Sequence, residues 1–183
     1  MKKTFQELLS YLKNPILEKD TNQDAKYRFK KFGYLLIICL LTGFLISPIF
    51  VIIEEFGLIN MEDHAMEEMM KNFPKVAIFV LAVVVAPSFE ELIFRGPLTL
   101  FKGRKSFKIA FYTLTILFGL VHISNFTITK NVLLLTPILV LPQILLGGYL
   151  GFIRVRFGLG WSIALHACYN GILMLITLST DLH

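Results

Sequence analysis

PKVAIFVLAVVVAPSFEELIFRGPLTLF, residues 74–101, is a run long and apolar enough to cross a bilayer, yet it carries Glu90, Glu91 and Arg95. About 20 apolar residues span a hydrocarbon core. A charge inside such a span costs about 2.5–3.5 kcal/mol on insertion scales, so charges retained there mark a paired structural site or a function. The run also decides the fold class. In lipid every backbone polar group must be satisfied within the protein, and for a single run of this length that means helix. Pro87 precedes the glutamates and Gly96-Pro97 follows Arg95. A proline within a helix removes one backbone hydrogen bond and bends the axis, which can open a polar, hydrated notch.

The rest of the chain repeats the pattern. Of 183 residues, 55% are hydrophobic and only 17% charged, with mean hydropathy +0.68, more apolar than a soluble core of this size requires. Four further runs, about 32–53, 107–126, 132–153 and 158–180, also reach spanning length. The expected architecture is an all-α, multi-pass transmembrane helix bundle of about five spans, in a single membrane-embedded domain covering residues 1–183. The first run follows a charged stretch of about 30 residues and is too long for a signal-peptide core, so it is expected to remain as an anchor.

Charge in the loops sets an orientation, because Lys and Arg are retained on the cytoplasmic side. Basic residues cluster before the first span (Lys2, Lys3, Lys13, Lys19, Lys26, Arg28, Lys30, Lys31), after the second (Lys102, Arg104, Lys105, Lys108) and after the fourth (Arg154, Arg156). The 54–75 segment is acidic, with Glu54, Glu55, Glu62, Asp63, Glu67 and Glu68, and the loop after the third span has only Lys130. A multi-pass protein of the plasma membrane with its N-terminus cytoplasmic and its C-terminus outside follows. The net charge of +5 then speaks for topology and anionic lipid. No aromatic-basic pattern points to nucleic acid as a partner.

Two shorter segments are amphipathic. In the basic cytoplasmic segment 1–31, Phe5, Leu8, Leu9 and Leu12 recur at helical spacing beside Lys2, Lys3 and Lys13, which suits a helix lying on the inner leaflet. Met66, Met69, Met70 and Phe73 do the same opposite Glu67, Glu68 and Lys71. Packing against neighbouring spans competes with the lipid reading in both. Cys39 and Cys168 form no paired framework and are expected to be buried, reduced packing residues.

The polar residues inside the spans are few. Glu91 and Arg95 stand four apart with the acid first, the favourable helical order for an ion pair, and form a structural pair. Glu90 points about 100° away around the helix, so the same arginine does not easily neutralise both, and Glu90 is left for chemistry. His122 lies four residues after Phe118 on the same face, with Asn125 three further on; His166 and Asn170 are again four apart. Singly, each histidine reads equally well as a hydrogen-bonded packing residue. Depth changes that. At about 1.5 Å per residue, Glu90 lies roughly 18 Å from the basic boundary near Lys102, His122 roughly 20 Å from Lys108, and His166 and Asn170 roughly 15 and 20 Å from Arg156. Three helices thus present polar groups at one level, as a shared site requires. His64 and His183 are loop and terminal residues with no assigned role.

These residues resemble the type II CAAX prenyl endopeptidases and bacteriocin-processing enzymes, the CPBP intramembrane proteases, whose pattern is E-E-x-x-x-R, then F-x-x-x-H, then H-x-x-x-N. Here it stands as Glu90-Glu91-Leu92-Ile93-Phe94-Arg95, Phe118-Gly119-Leu120-Val121-His122 and His166-Ala167-Cys168-Tyr169-Asn170. The resemblance covers residues 75–175, the expected catalytic core. It implies hydrolysis of a peptide bond in a membrane-associated peptide or protein substrate, by a water that Glu90 and His122 activate. His166 and Asn170 resemble an oxyanion-binding pair, and Glu91, Arg95, Phe118 and Asn125 would support the site. The residue chemistry agrees: an amide and an imidazole N–H are competent donors to a developing oxyanion, a contact worth about 2.7–4 kcal/mol in other hydrolases. A water nucleophile needs no serine or cysteine.

Three alternatives stand beside this one. Glu90, His122 and His166 with an open position form a catalytic zinc set, although no H-E-x-x-H is present and Asn170 is a poor zinc ligand; the metal-free, cofactor-free mechanism is favoured. A non-catalytic immunity or binding protein could hold a peptide in the same cavity. A proton or ion transporter with Glu90 as relay accounts for the glutamate but not for His166 and Asn170. The sequence does not fix the oligomeric state.

Overall fold

Every apolar run becomes helix. The computed structural model describes residues 1–61 and 64–180, so Glu62 and Asp63 of the acidic loop and His183 lie outside the described residues, as does the side chain of Glu67. Helix accounts for 82% of the chain, with no strand among the described residues. Five helical segments are long and apolar enough to cross a membrane: Ala25–Glu55, Lys75–Leu100, Arg104–Asn125, Lys130–Phe157 and Leu159–Ser179. The first and fourth extend a few residues past the apolar runs that predict them, the third begins three residues early, and the second and fifth match their runs to within a residue at either end. Charged residues at the ends continue the helix into the polar boundary.

In chain order the helices are α1 (Lys2–Lys13), α2 (Ala25–Glu55), α3 (Ala65–Asn72), α4 (Lys75–Val80), α5 (Ala86–Phe94), α6 (Arg104–Val121), α7 (Lys130–Leu139), α8 (Leu141–Phe157) and α9 (Leu159–Thr180). Two spans are broken. The second passes from α4 to α5 through one turn of π-helix, Leu81–Val85, and ends in a 3₁₀ turn, Pro97–Leu100. The fourth breaks at Val140, between α7 with Pro137 inside it and α8 with a proline in its first turn, as expected of a residue that cannot donate to the preceding turn.

α6 lies along α8, and α9 packs against α8, α5, α2 and the π-turn. Phe107, Phe111 and Phe118 of α6, Leu150, Phe152 and Ile153 of α8, Leu165 of α9 and Leu35 of α2 make the fully buried centre. The outer surface is apolar too: Leu45, Val76, Leu134, Phe89 and Ile93 are each more than half exposed. An exposed apolar surface of this extent is what lipid, not water, covers. Cys39 is buried as expected, but Cys168 is not a packing residue: it is exposed, because it projects from the side of α9 away from the neighbours that bury His166.

The N-terminal segment is folded onto the bundle. Leu8 and Tyr11 are buried, Tyr11 edge-on to Phe111 at 5.5 Å and to Phe152 at 5.1 Å. The packing reading of this helix therefore holds for one face. Met1, Phe5 and Leu9 remain exposed on the other. Burial pushes the Tyr11 hydroxyl pKa up. Lys31, itself buried in α2, ties the segment down through Glu7 at 2.8 Å and Asp20 at 3.1 Å. Arg156 donates to the Glu18 carbonyl at 3.0 Å. Burial alone would raise the Asp20 carboxyl, but hydrogen bonds from the Asn22 N–H, the Tyr27 hydroxyl and Lys31 hold it below its ordinary value.

Candidate active site

Glu90 and Glu91 sit on the second turn of α5, beyond the π-turn. His122 stands where α6 tightens into a 3₁₀ turn, His122–Asn125, and His166 lies in the middle of α9. The three helices bring one atom of each together. Glu90 Oε2 is 3.9 Å from His122 Nε2 and 3.8 Å from His166 Nε2. That oxygen is buried and has no hydrogen-bond partner among the described residues, while the side chain as a whole keeps 29% exposure. The carboxylate thus has one inner and one accessible side.

The other ring nitrogens fix what these face. His122 Nδ1 donates to the Phe118 carbonyl at 2.7 Å, and His166 Nδ1 donates to Glu91 Oε1 at 3.2 Å. A carbonyl or carboxylate oxygen only accepts, so in each neutral ring Nε2 carries a lone pair. Three acceptors therefore converge: a carboxylate oxygen and two imidazole nitrogens. Only a donor, a proton or a cation completes such a group, and 3.8–3.9 Å is a span that one bridging water covers.

Glu91 has the opposite environment. It is fully buried and surrounded by donors: the Ser162 hydroxyl on Oε2, His166 on Oε1, and Arg95 Nη1 at 3.3 Å from Oε1. Sequence reasoning found the arginine but missed Ser162. Its signal was positional, since Ser162 precedes His166 by four residues and so shares its face. Arg95 sits over the face of Phe118, its guanidinium carbon 3.9 Å from the ring centroid, and Phe118 meets His122 and His166 edge-on at 4.9 and 5.8 Å. One aromatic ring thus separates the buried cation from both imidazoles, and its face offsets part of the cost of burying that cation.

Room for this stack comes from α8. A Cβ at Gly147 would stand 3.0 Å from both Arg95 Nη2 and Phe118 Cδ1. α8 also supplies Arg154, which the sequence reading counted only as a topological charge. Its Nε donates to the Arg95 carbonyl at 2.9 Å and its Nη2 to Thr99 Oγ1 at 3.1 Å, so it caps the carbonyl end of α5.

Asn170 does not point at Glu90. Its Nδ2 donates to the Ala82 carbonyl, in the π-turn, at 2.9 Å. Asn125 is half-buried in the 3₁₀ turn and makes no hydrogen bond to the carboxylate and imidazoles among the described residues. Glu90 Oε2 stands 3.8 and 3.9 Å from the two imidazole nitrogens, against edges of roughly 3.3 Å in a tetrahedron built from zinc bonds of about 2.0–2.1 Å. Among the described residues no group of three or more His, Cys, Asp or Glu side chains is arranged to hold a metal ion.

Comparison with known families gives one match. The model of the family described as Rce1-like, type II CAAX prenyl endopeptidase Rce1-like, covers residues 72–172, from the end of α3 to the second half of α9. No curated protein matches the chain, and no solved structure does. The matched span holds every helix that contributes to the cluster of Glu90, His122 and His166, and the chain belongs to the Rce1-like family of type II CAAX prenyl endopeptidases, a family of membrane proteases.

Proposed function

We propose that this protein is a glutamate-type intramembrane endopeptidase. The observation that carries the reading is the single Glu90 oxygen facing two imidazole lone pairs at water-bridging distance. A water there gives one proton to Glu90 and is oriented by His122 Nε2, while its oxygen forms a bond to the scissile carbonyl carbon. The oxyanion that develops accepts from Asn170, whose Nδ2 carries a second hydrogen beyond the one given to Ala82, and from His166 Nε2 once that nitrogen has taken a proton from solvent on the accessible side of the site. On collapse the C–N bond breaks and the amine leaves with the proton that Glu90 held. Glu91, Ser162 and Arg95 hold the His166 ring.

Residues 1–183 act as one unit with 75–175 as the catalytic core, in the plasma membrane, N-terminus cytoplasmic and C-terminus outside. The alternation of basic and acidic loops supports that orientation. The substrate is a peptide or protein segment presented at the cytoplasmic side. The test compares peptides released in membranes of cells carrying wild-type, Glu90→Gln or His122→Ala protein, with accumulation checked by immunoblot. Specific products vanish in both variants at normal protein levels. Full activity in both removes the assignment, and activity lost on stringent chelation and restored by zinc replaces it with a metal mechanism.

A further inference from the structure

The Ala82 carbonyl lacks its usual donor for a covalent reason. In an α-helix it would accept from the Ala86 N–H, but that N–H is given to the Leu81 carbonyl, five residues back. In the resulting i to i+5 register the donor owed to Ala82 is residue 87, and residue 87 is a proline with no N–H. The π-turn and Pro87 together orphan one carbonyl inside a membrane span, where no bulk water replaces the missing bond. Asn170 Nδ2 meets that oxygen at 2.9 Å from α9. The two elements are in close contact there: a Cβ on the next residue, Gly171, would lie 3.4 Å from Val83 Cγ1 of the π-turn.

A π-turn inserts one extra residue, so it rotates all that follows by about 100° relative to all that precedes. Glu90 lies in the second turn after it. Were 81–94 to relax into one continuous α-helix, that rotation would carry the Glu90 carboxylate away from His122 and His166.

We infer that Asn170 is a positioning residue: its amide supplies the N–H that Pro87 lacks, pins the π-turn to α9, and so sets the direction in which α5 presents Glu90. The catalytic part of this inference rests on the proposed role of Glu90. It assigns Asn170 a task separate from contact with substrate, and one of its two amide hydrogens suffices.

The test is a double-mutant cycle on the full chain in detergent: wild type, Asn170→Ala, Pro87→Ala and the pair. The substrate is a synthetic peptide that spans the cleavage site marked by the new terminus of a product that wild-type membranes release and Glu90→Gln membranes do not. Asn170→Ala lowers kcat with KM little changed, and lowers the melting temperature. Adding Pro87→Ala restores a backbone N–H at residue 87. It raises kcat about tenfold over Asn170→Ala, the scale of one buried hydrogen bond regained, and returns most of the melting temperature. A residue that acted only on the substrate oxyanion could not be rescued by a backbone change in another helix. A pair no more active than Asn170→Ala overturns the inference, whether or not stability recovers. If wild-type protein cleaves nothing, the protease reading has failed instead, and the melting temperatures alone decide whether residues 87 and 170 are tied: additive losses sink the tie and rescue upholds it.

Discussion

Adjacent glutamates with different surroundings lie at the centre of the buried polar cluster. Glu91 is saturated with donors and fully enclosed, whereas Glu90 faces two lone pairs and keeps an accessible side. The difference comes from their 100° separation around α5. Ser162 is the partner of Glu91 that a substitution can remove most cleanly. Ser162→Ala leaves a buried carboxylate oxygen without its hydroxyl donor and frees the anchor of the His166 ring. We expect a stability loss of about 1–3 kcal/mol in detergent melts and a fall in kcat at unchanged KM, with Ser162→Thr recovering much of both. A loss confined to KM would argue against the anchoring role. At this scale the sequence was legible where spacing alone carries the signal, as for Glu91 with Arg95 and for His122 behind Phe118. It was not legible for Ser162 or Arg154, because a serine in an apolar helix and an arginine at its end look the same whether they serve a carboxylate, a carbonyl or a loop. Asn170 shows a third case: its four-residue spacing from His166 was plain, but its bond to Ala82 depends on a π-turn that hydropathy does not encode.

Among the elements, α8 sets how close the site's parts lie. Its Gly147 faces Arg95 and Phe118 at a distance that already leaves no slack, while a methyl group on Gly33 of α2 would meet nothing within 4 Å. Gly147→Leu should therefore push the guanidinium off the ring, costing about 1–3 kcal/mol by overpacking and reducing cleavage. Gly33→Ala should leave activity alone and add up to about 1 kcal/mol by helix propensity. Thermal melts with a cleavage assay on both variants check this, and an unperturbed Gly147→Leu would show that the stack does not depend on α8. The five spans themselves were readable from apolar run length, since lipid leaves the backbone no other option. The breaks at Leu81–Val85 and Val140 were less so. Prolines announce that a helix is disturbed, yet whether the result is a kink, a π-turn or two helices depends on which neighbour takes up the freed carbonyl.

Across the whole molecule, the N-terminal segment closes one end of the bundle through Lys31, Glu7, Asp20 and Arg156. Since the folded-state Asp20 carboxyl lies below its ordinary value of about 3.9, its contribution is complete above that value and is lost as pH falls through the lowered one. Hydrogen exchange in residues 1–24, corrected for intrinsic rates, should stay slow at neutral pH and quicken below about pH 4. Asp20→Asn should show the quickened exchange at neutral pH. Equal protection at pH 7 and pH 3 in wild type would show that the charges do not hold the segment. The buried face of α1 has a further consequence for biosynthesis. Its seat includes Phe152, some hundred and forty residues downstream of it and late to emerge from the ribosome. Until then α2 and Phe111 can cover Leu8 and Tyr11 only on one side, and the rest of the basic helix is left to the headgroups of the leaflet. Anionic lipid then acts as a temporary cradle, and its depletion should delay maturation without altering the finished protein.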